Sequence, residues 1–321
     1  MGGTSRARLR NARTIPRMRI DQILETTRPC FSVEFFPPKT DEGRANLRET
    51  VEVLRELEPA FFSVTYGAGG TTRDGTVEAC RMIKDDFGAE VMAHLSCVGA
   101  TAEGLRKMLD RIGDAGIDNV LALRGDPPRG EKSFEPPEGG LSSATELAAL
   151  ITAEYPSFAI GGSCFPEVHP EAASLEADLA YLKTKVEAGA SFLISQLFFD
   201  NRHYFDFVTA ARAAGIDVPI IAGVMPITSY AQIVRFCELC EAQIPAPLAA
   251  AMEALDGDER GEFELGVAYA AAQCAELLQG GAPGIHFYAL NRYPATRAIL
   301  GTLQTQRPWE RATGAPTAAR A

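Results

Sequence analysis

The stretch 31-FSVEFFPPKTDEGRANLRETVEVLRELE-58 joins a strand signal directly to a helix signal. Residues 31–36 are apolar or aromatic at most positions, which is typical of a buried strand, and two prolines end the run. Residues 41–58 repeat apolar side chains at helical spacing, with Asp41 as the predicted N-cap. The stretch therefore predicts one strand followed by one amphipathic helix, the repeating unit of an α/β fold.

The same unit recurs along the chain. Further strand-like runs are 61-FFSVTY-66, 90-EVMAHLSC-97, 119-NVLALR-124, 158-FAIGGSCF-165, 192-FLISQLFF-199, 219-PIIAGVMP-226 and 284-GIHFYAL-290. Each is followed by a segment with helical periodicity, and Gly189 and Gly215 lie where two of these helices should end. Eight units without an obvious linker favour a single (β/α)8 TIM barrel over a doubly wound sheet. Residues 229–279 predict extra helices before the last strand.

Several segments depart from this repeat. The basic residues 1–19 lack the apolar core of a signal peptide, and residues 306–321 are mostly small and polar, so both predict flexible ends around one barrel domain over 20–305. The loop 127-PPRGEKSFEPPEGG-140 is long for a βα connection, which is typical of a functional loop on a barrel rim. The segment 67-GAGGTTR-73 is either an anion-binding turn at a helix N-terminus or a tight βα turn.

Composition limits the classes of function. The chain of 321 residues has a formal net charge of −11, which disfavours a nucleic-acid binder because such a protein needs a basic face. No apolar run approaches the roughly 18 residues that span a membrane. Seven scattered cysteines are typical of reduced thiols in a cytoplasmic protein. Cys237 and Cys240 form a C-x-x-C without a second pair, and the four histidines match no metal motif, so we predict no metal site.

Polar side chains follow nearly every predicted strand. In a (β/α)8 barrel the functional site lies at the carboxyl ends of the strands, so these residues should converge there. They are Glu34, Thr65, Tyr66, His94, Arg124, Asp126, Glu167, His169, Gln196, Asn291 and Arg292. Each has a structural alternative: Glu34 could cap a bend, His94 could be a satisfied core histidine, and Asp126 could cap a turn. Their joint placement favours a functional interpretation.

Strand alternation gives Glu34 a direction. Phe31, Val33 and Phe35 share one face of the first strand, and Ser32 and Glu34 share the other. If the bulkier face packs against the helices, Glu34 points into the top of the barrel. Partial desolvation there should raise the pKa of Glu34 towards the range of a general acid.

Long motifs along the chain resemble a known family. The runs FSVEFFPPK, SVTYGAGGTTRD, AHLSC, LALRGDPP, FPEVHPEA, ISQLFFD and HFYALNR, in this order and spacing, resemble methylenetetrahydrofolate reductase over about residues 20–305. The resemblance implies a (β/α)8 barrel that binds FAD non-covalently and reduces 5,10-methylenetetrahydrofolate to 5-methyltetrahydrofolate with NADH or NADPH. In this family the nicotinamide gives a hydride to the flavin and leaves, and folate then receives it in the same pocket.

The resemblance also implies residue roles. Glu34 matches the family's acid, which helps to protonate folate as the methylene bridge opens, and Asp126 matches an aspartate beside the flavin that tunes its redox potential. Substrate-side positions match at Gln196, Gln232, Phe236, Tyr288 and Arg292. Flavin-binding positions fall at Thr65, His94, Leu123, Arg124, Gly125, Asp126, Phe165, His169, Asp178 and Lys185.

Four positions differ from the family pattern. Ser143 and Phe165 stand where a tyrosine is common, Tyr181 where an asparagine is found, and Thr184 where an arginine can reach the cofactor phosphates. Three interpretations of function therefore remain: a flavin-dependent folate reductase, the same reduction by direct hydride transfer without tightly bound flavin, and a non-catalytic folate-binding barrel. The resemblance further implies a bacterial catalytic-domain-only form, a homo-oligomer, and a place in one-carbon metabolism and methionine supply.

Overall fold

A closed barrel of eight parallel strands forms the centre of the molecule. The structure is a computed structural model that describes residues 18–66, 73–126 and 134–311. Its strands pair in sequence order, and the last closes against the first. They are β1 (Cys30–Phe35), β2 (Phe61–Val64), β3 (Val91–Ser96), β4 (Asn119–Leu123), β5 (Ala159–Cys164), β6 (Ala190–Ser195), β7 (Ile220–Val224) and β8 (Gly284–Tyr288). The predicted (β/α)8 fold is confirmed.

Helices alternate with these strands. A short helix, α1 (Ile20–Thr26), precedes β1. The helices that follow β1 to β6 are α2 (Asp41–Arg55), α3 (Arg73–Phe87), α4 (Ala102–Asp114), α5 (Ala144–Glu154), α6 (Leu175–Glu187) and α7 (Asn201–Ala213). Between β7 and β8 stand α8 (Tyr230–Cys240), α9 (Ala246–Glu253) and α10 (Glu259–Gln279), which confirms the extra helices predicted there. The last helix is α11 (Pro294–Gln306).

Helix ends follow local chemistry with one correction. The predicted N-cap of α2, Asp41, is instead its first helical residue, and Thr40 is the N-cap because its hydroxyl accepts the backbone N–H of Gly43 at 3.0 Å. Asp41 is still favourable there, since a carboxylate in the first turn complements the helix dipole. Gly189 and Gly215 adopt φ of +122° and +82°, as expected where α6 and α7 end.

Apolar side chains pack in two layers, on the outer wall of the barrel and at its amino-terminal end. The outward faces of the strands pack on the helices, as Val33 and Phe35 do with Leu47, Val51 and Leu54. A second apolar cluster fills the amino-terminal end of the barrel, where α1 seals it with Ile20, Ile23 and Leu24 against Phe61, Met92, Leu121 and Phe192. The polar side chains predicted for the site collect at the carboxyl end.

The extra helices cover one side of that carboxyl end. Leu197 and Met225, just beyond β6 and β7, pack with Ile233 of α8 and Leu248 of α9 in a third apolar cluster. Phe236 and Tyr288 pack against the same cluster, together with other partly buried side chains. The helix α8 therefore lies over the rim formed by β6, β7 and β8.

The described chain continues beyond the predicted barrel boundary at residue 305. A 3-10 turn over Pro308–Arg311 follows α11, and the Trp309 ring packs edge-on against Phe31 with 5.8 Å between centroids. The rest of the predicted flexible ends (1–17 and 312–321) and parts of two predicted loops (67–72 and 127–133) lie outside the described residues. No helix within the described ranges is long and apolar enough to cross a membrane.

Candidate active site

Glu34 lies inside the carboxyl end of the barrel, in contact with two histidines. Its Oε2 is 3.3 Å from Nε2 of His286 on β8 and 3.4 Å from Nε2 of His94 on β3. The Glu34 side chain is 13% exposed, and the two imidazoles are almost fully buried. The direction predicted from strand alternation is therefore correct.

His286 links Glu34 to the hydroxyl groups below it. Its Nδ1 lies 2.7 Å from Oγ of Ser32, which shares the inner face of β1 with Glu34. On the other side, the Oγ of Ser63 on β2 is 3.5 Å from His286 Nε2. This arrangement exists because β1 pairs with both β2 and β8, and the register sets His286 opposite Ser32 and Ser63 opposite Glu34. The result is a buried chain of groups that can accept or donate protons.

The histidines reverse the predicted pKa shift of Glu34. Burial raises the pKa of this carboxyl, but the hydrogen bond with His286 and the charges of the two imidazoles lower it, and the net pKa lies below the usual carboxyl range. The expectation of a raised pKa is wrong because it counted desolvation and not these partners. Burial also lowers the pKa of His94 to about 4, so His94 is neutral near pH 7. Near that pH, the hydrogen bond with His286 is therefore the effect that lowers the pKa of Glu34.

Tyr288 forms the wall beside Glu34. It is the register partner of Glu34 across the β1–β8 pair, and its hydroxyl donates to the backbone carbonyl of Ser195 at 2.6 Å. Burial raises the pKa of Tyr288 well above its ordinary value, so the phenol stays neutral. Gly223 on β7 makes room for this ring, because a Cβ there would lie 2.7 Å from the Tyr288 hydroxyl.

A cationic group lies on the β4–β5 side of the same rim. Arg124, just after β4, donates two parallel hydrogen bonds to Glu171, one of them 2.7 Å long. Lys185 of α6 is buried, with Nζ donating to the carbonyl of Ser163 at 2.8 Å. Burial lowers the pKa of Lys185, and nearby Asp178 opposes that shift. Arg124 and the buried Lys185 thus lie close to His169. Burial lowers the pKa of His169, and the charges of these two cations lower it further.

The turn that carries His169 is held to α6. The backbone N–H of His169 donates to Oδ2 of Asp178 at 2.9 Å. The Phe165 ring packs edge-on against the His169 ring at 4.5 Å. At Gly125 the φ of +91° favours glycine, and an added Cβ would lie 2.2 Å from Oγ of Ser96. These features bring five of the predicted flavin-binding positions, Arg124, Gly125, Phe165, His169 and Lys185, onto neighbouring segments.

The positions that depart from the family pattern have local roles. Ser143 is the N-cap of α5, with its Oγ accepting the N–H of Glu146 at 3.1 Å. The Thr184 hydroxyl donates to the carbonyl of Tyr181 within α6. The Tyr181 ring itself lies 5.5 Å from Nζ of Lys185 and is exposed. Ser143 and Thr184 thus bond within their own helices, while Tyr181 faces the buried lysine.

The remaining predicted positions lie around the rim, and none of those in the described part of the chain is hydrogen-bonded to Glu34. Gln196 accepts the N–H of Leu197 with its own Oε1 at 2.9 Å, and Gln232 and Phe236 lie on α8. Arg292 is exposed just after β8, and Asp126 is exposed at the end of a described segment. Thr65 follows β2, and Leu123 ends β4, both partly buried.

The strongest feature that the sequence reasoning missed is His286. In the sequence it is one of four histidines that match no metal motif, although it lies two residues before Tyr288 and therefore on the same face of β8. That period of two is the signal that could have found it. Ser32 was placed on the inner face, but its bond to His286 depends on the closure of the barrel. Among the described residues, no group of three metal-ligand side chains converges.

The fold and this site define a (β/α)8 barrel whose ionisable groups collect at the carboxyl ends of its strands. The chain belongs to the methylenetetrahydrofolate reductase family, whose model matches residues 19–304. It is 38% identical over 295 residues to methylenetetrahydrofolate reductase (NADH) 1 of Arabidopsis thaliana, covering 89% of this chain and 50% of that protein. It is 40% identical over 272 residues to 5,10-methylenetetrahydrofolate reductase of Escherichia coli K12, covering 85% and 90%.

The lengths of these relatives differ. The chain spans about half the length of the plant proteins that it matches: it covers 50% of the Arabidopsis thaliana protein and 53% of the Zea mays protein. Among solved structures, a Clostridium thermocellum protein described as binding two copies of 5-methyl-5,6,7,8-tetrahydrofolic acid superimposes with a TM-score of 0.62. That protein shares 16% sequence identity, and the match covers 91% of this chain and all of the other, which indicates a common fold.

Proposed function

We propose that this chain reduces 5,10-methylenetetrahydrofolate to 5-methyltetrahydrofolate with electrons from a reduced nicotinamide. The observation that carries the proposal is the buried Glu34 carboxylate between His94 and His286, in a chain of this family. NADH is the proposed donor, since the plant relatives are named for it. NADPH is the alternative that the experiment below distinguishes.

Glu34 and His286 supply the proton that the reaction needs. Opening the methylene bridge breaks a carbon–nitrogen bond, and the departing nitrogen must gain a proton to be a stable leaving group. We assign this proton to Oε2 of Glu34, with His286 Nε2 at 3.3 Å as the group that shares it. When a substrate covers the mouth and excludes water, the carboxylate is further desolvated, which raises its pKa and favours proton uptake. His286 and Ser32 lie beneath Glu34 and can replace the proton.

The residues on the β4–β5 side fit a flavin dinucleotide. Arg124 and the buried Lys185 supply cations suited to a pyrophosphate. His94 Nε2 lies 3.4 Å from Glu34 Oε2 but makes no hydrogen bond among the described residues, so it is a buried polar atom that a bound group could satisfy. We propose that Thr65, Leu123, Gly125, Asp126, Phe165, His169 and Asp178 complete this site. When bound, FAD would carry the two electrons from the nicotinamide to the folate.

The substrate-side residues would orient folate over Glu34. Gln196 offers an amide at the end of β6, and Phe236 on α8 presents an aromatic ring beside the wall formed by Tyr288. A planar pterin or nicotinamide can stack on such a ring. Gln232 and Arg292 lie farther out, where they can contact polar or anionic parts of folate. The proton donor Glu34 thus lies inside the carboxyl end of the barrel, and the residues that orient folate lie around its rim.

An anaerobic half-reaction experiment tests the proposal. Purified protein is first examined by its visible spectrum, then mixed with NADH or NADPH and an artificial electron acceptor, and finally with 5,10-methylenetetrahydrofolate. We expect flavin absorption near one equivalent, faster reduction by NADH, and re-oxidation by folate. A colourless protein that is active without added FAD would support direct hydride transfer. Folate binding without turnover in either half-reaction would support a non-catalytic barrel.

A further inference from the structure

The turn between β5 and α6 holds a buried carboxylate that the proposed chemistry does not use. The Glu167 side chain is 9% exposed, and its Oε2 accepts the backbone N–H of Gln243 at 3.0 Å. Its Oε1 is buried without a hydrogen-bond partner among the described residues. Burying a carboxylate in this way costs free energy, which the fold tolerates where the group holds something in place.

The backbone around Glu167 is strained in a way that aims two side chains in different directions. Val168 has a φ of +69°, which is an outlier for a β-branched residue. Its N–H donates to the carbonyl of Phe165 at 3.1 Å, and the next residue, His169, is bound to Asp178 on α6. The turn therefore sends His169 towards α6 and the predicted flavin side, while Glu167 faces the segment that follows α8.

That segment begins at the carboxyl end of α8. The helix ends at Cys240, Glu241 adopts the left-handed conformation with φ +56°, and the N–H of Ala242 returns to the carbonyl of Cys237 at 3.2 Å. The next N–H, that of Gln243, has its acceptor on Glu167, 76 positions away in the chain. One hydrogen bond thus joins the end of α8 to the rim of the barrel.

Several ionisable groups face Glu167 at this junction. His203 Nε2 of α7 is 3.8 Å from its Oε2, and the charge of Asp200 also acts on it. Burial raises the pKa of the Cys237 thiol to about 12, and the neighbouring Cys240 and Glu167 add to this effect. Burial raises the pKa of Glu167 as well, opposed by the Gln243 N–H and by His203. The turn after β5, helix α7 and the carboxyl end of α8 therefore meet at Glu167.

The two ends of α8 are held by different glutamates. At the amino end, the N–H of Tyr230 donates to Oε2 of Glu262 on α10 at 2.9 Å. Beyond the carboxyl end, Glu167 accepts the N–H of Gln243. Phe236 lies nearer the carboxyl end, beside the cluster that also contacts Tyr288. A change at Glu167 should therefore move Phe236 without displacing the amino end of the helix.

We propose that Glu167 is a positioning residue that fixes the carboxyl end of α8 and so sets the placement of Phe236 over the barrel mouth. The expected effect on substrate binding rests on the proposed function, whereas the expected effect on the order of α8 does not. Glu167 binds the Gln243 backbone in the segment just after α8 and acts on the substrate through that helix. It is thus a determinant of substrate affinity rather than of the chemical step.

Hydrogen–deuterium exchange on the full chain without substrate tests the structural part. We expect Glu167→Ala to speed amide exchange in the carboxyl half of α8 by about tenfold, because the end of the helix can then open locally. Glu167→Gln should stay near wild type, since its amide oxygen can still accept the Gln243 N–H. The matched control is Glu154→Ala on α5, which removes an exposed ion pair with Arg106. Unchanged exchange in α8, or faster exchange throughout the barrel, would overturn the proposal.

Steady-state kinetics test the consequence for the substrate. In Glu167→Ala we expect the KM for 5,10-methylenetetrahydrofolate to rise about tenfold with a smaller change in kcat, as for a misplaced binding residue. An unchanged KM in a protein whose α8 has loosened would overturn the kinetic part. A wild-type protein without folate reduction would instead refute the proposed function, and the exchange result would still decide the role of Glu167.

A second variant removes the donor and leaves Glu167 in place. Gln243→Pro deletes the backbone N–H at an exposed position, so the chain should fold even if Glu167→Ala does not. We expect the same local increase in exchange in α8. The double variant should be no more perturbed than either single variant, since both remove one hydrogen bond. Additive effects on exchange would show that the two residues act independently and would contradict the proposal.

Discussion

Glu34 on β1 and His286 on β8 meet across the strand pair that closes the barrel, with 3.3 Å between Oε2 and Nε2. The two residues lie 252 positions apart in the chain and become neighbours only when the last strand pairs with the first. Their contact sets the charge of the proposed acid in the free protein, because the imidazole lowers a carboxyl pKa that burial would otherwise raise.

The first prediction concerns the proton on Glu34. Glu34→Gln should lower the rate of folate reduction by roughly 10²-fold or more, the usual contribution of a general acid. Oxidation of the nicotinamide by an artificial acceptor should remain within about threefold of wild type, since that half-reaction does not use the proton. Separate assays of the two half-reactions measure this, with Glu52→Gln on the exposed side of α2 as control. Equal loss in both assays would make Glu34 a structural residue.

The second prediction concerns His286 and pH. His286→Asn removes the hydrogen bond that lowers the pKa of Glu34, so burial should then raise that pKa. Because folate reduction needs the protonated carboxyl, its decline at high pH should shift to higher pH in the variant. The measurement is the pH profile of the folate half-reaction, together with the infrared band of a protonated carboxyl. Superimposable profiles would contradict the assigned role of His286.

The third prediction concerns stability in acid. His94 has a pKa of about 4 in the folded protein because it is buried, whereas the unfolded chain binds a proton near pH 6.5. The unfolded state therefore gains more protons as pH falls, and stability should drop by about 2 kcal/mol between pH 7 and 5 from this residue. Urea unfolding at both pH values should show a weaker pH dependence in His94→Leu. An identical dependence in the two proteins would show that other groups cause it.

The fourth prediction separates flavin binding from folding at Lys185. Lys185→Met removes a buried cation whose desolvation cost offsets the lost hydrogen bond to Ser163, so the variant should be about as stable as wild type. It should nonetheless retain flavin about tenfold less tightly, because an ammonium suited to a phosphate is lost. Thermal unfolding and the flavin absorbance after gel filtration measure the two properties. Lys183→Met, exposed on the same helix, is the control, and undiminished flavin binding in Lys185→Met would remove this residue from the site.

The fifth prediction concerns the link between the ends of β8 and β1. The Asn291 side chain accepts the N–H of Phe36 at 2.8 Å and donates to its carbonyl at 3.0 Å, while its own φ is +58°. Asn291→Gly should cost about 2 kcal/mol for two hydrogen bonds. Asn291→Ala should cost about 1 kcal/mol more, because alanine disfavours the left-handed conformation. Denaturant titrations of both variants test this order, and equal stabilities would show that the backbone is not strained there.

Local patterns were sufficient to predict most of the fold. The eight strands, the extra helices before β8 and the inward direction of Glu34 all follow from the spacing of apolar residues, since each depends on neighbours in the chain. The predicted cap of α2 was wrong by one residue because Asp41 and Thr40 are both good caps, and only the backbone conformation selects Thr40. A pattern of residue types cannot locate the end of a helix to within one residue.

The site was predictable as a set of positions and not as a set of contacts. Arg124, His169 and Lys185 were singled out by the family motifs, but the ion pair of Arg124 with Glu171 and the burial of Lys185 depend on how the β4 and β5 loops meet α6. Glu167 was visible as a polar residue after β5. Its bond to Gln243 could not be foreseen, because it joins a strained turn to a helix end elsewhere in the chain.

By itself, the amino-acid sequence determined that this protein is a (β/α)8 barrel with an acid on the inner face of its first strand, because periodicity and family motifs are properties of the chain. Only the tertiary structure decided the electrostatic state of that acid. Barrel closure places His286 beside Glu34, and at such short range in a buried site its hydrogen bond and charge lower a carboxyl pKa that burial would otherwise raise.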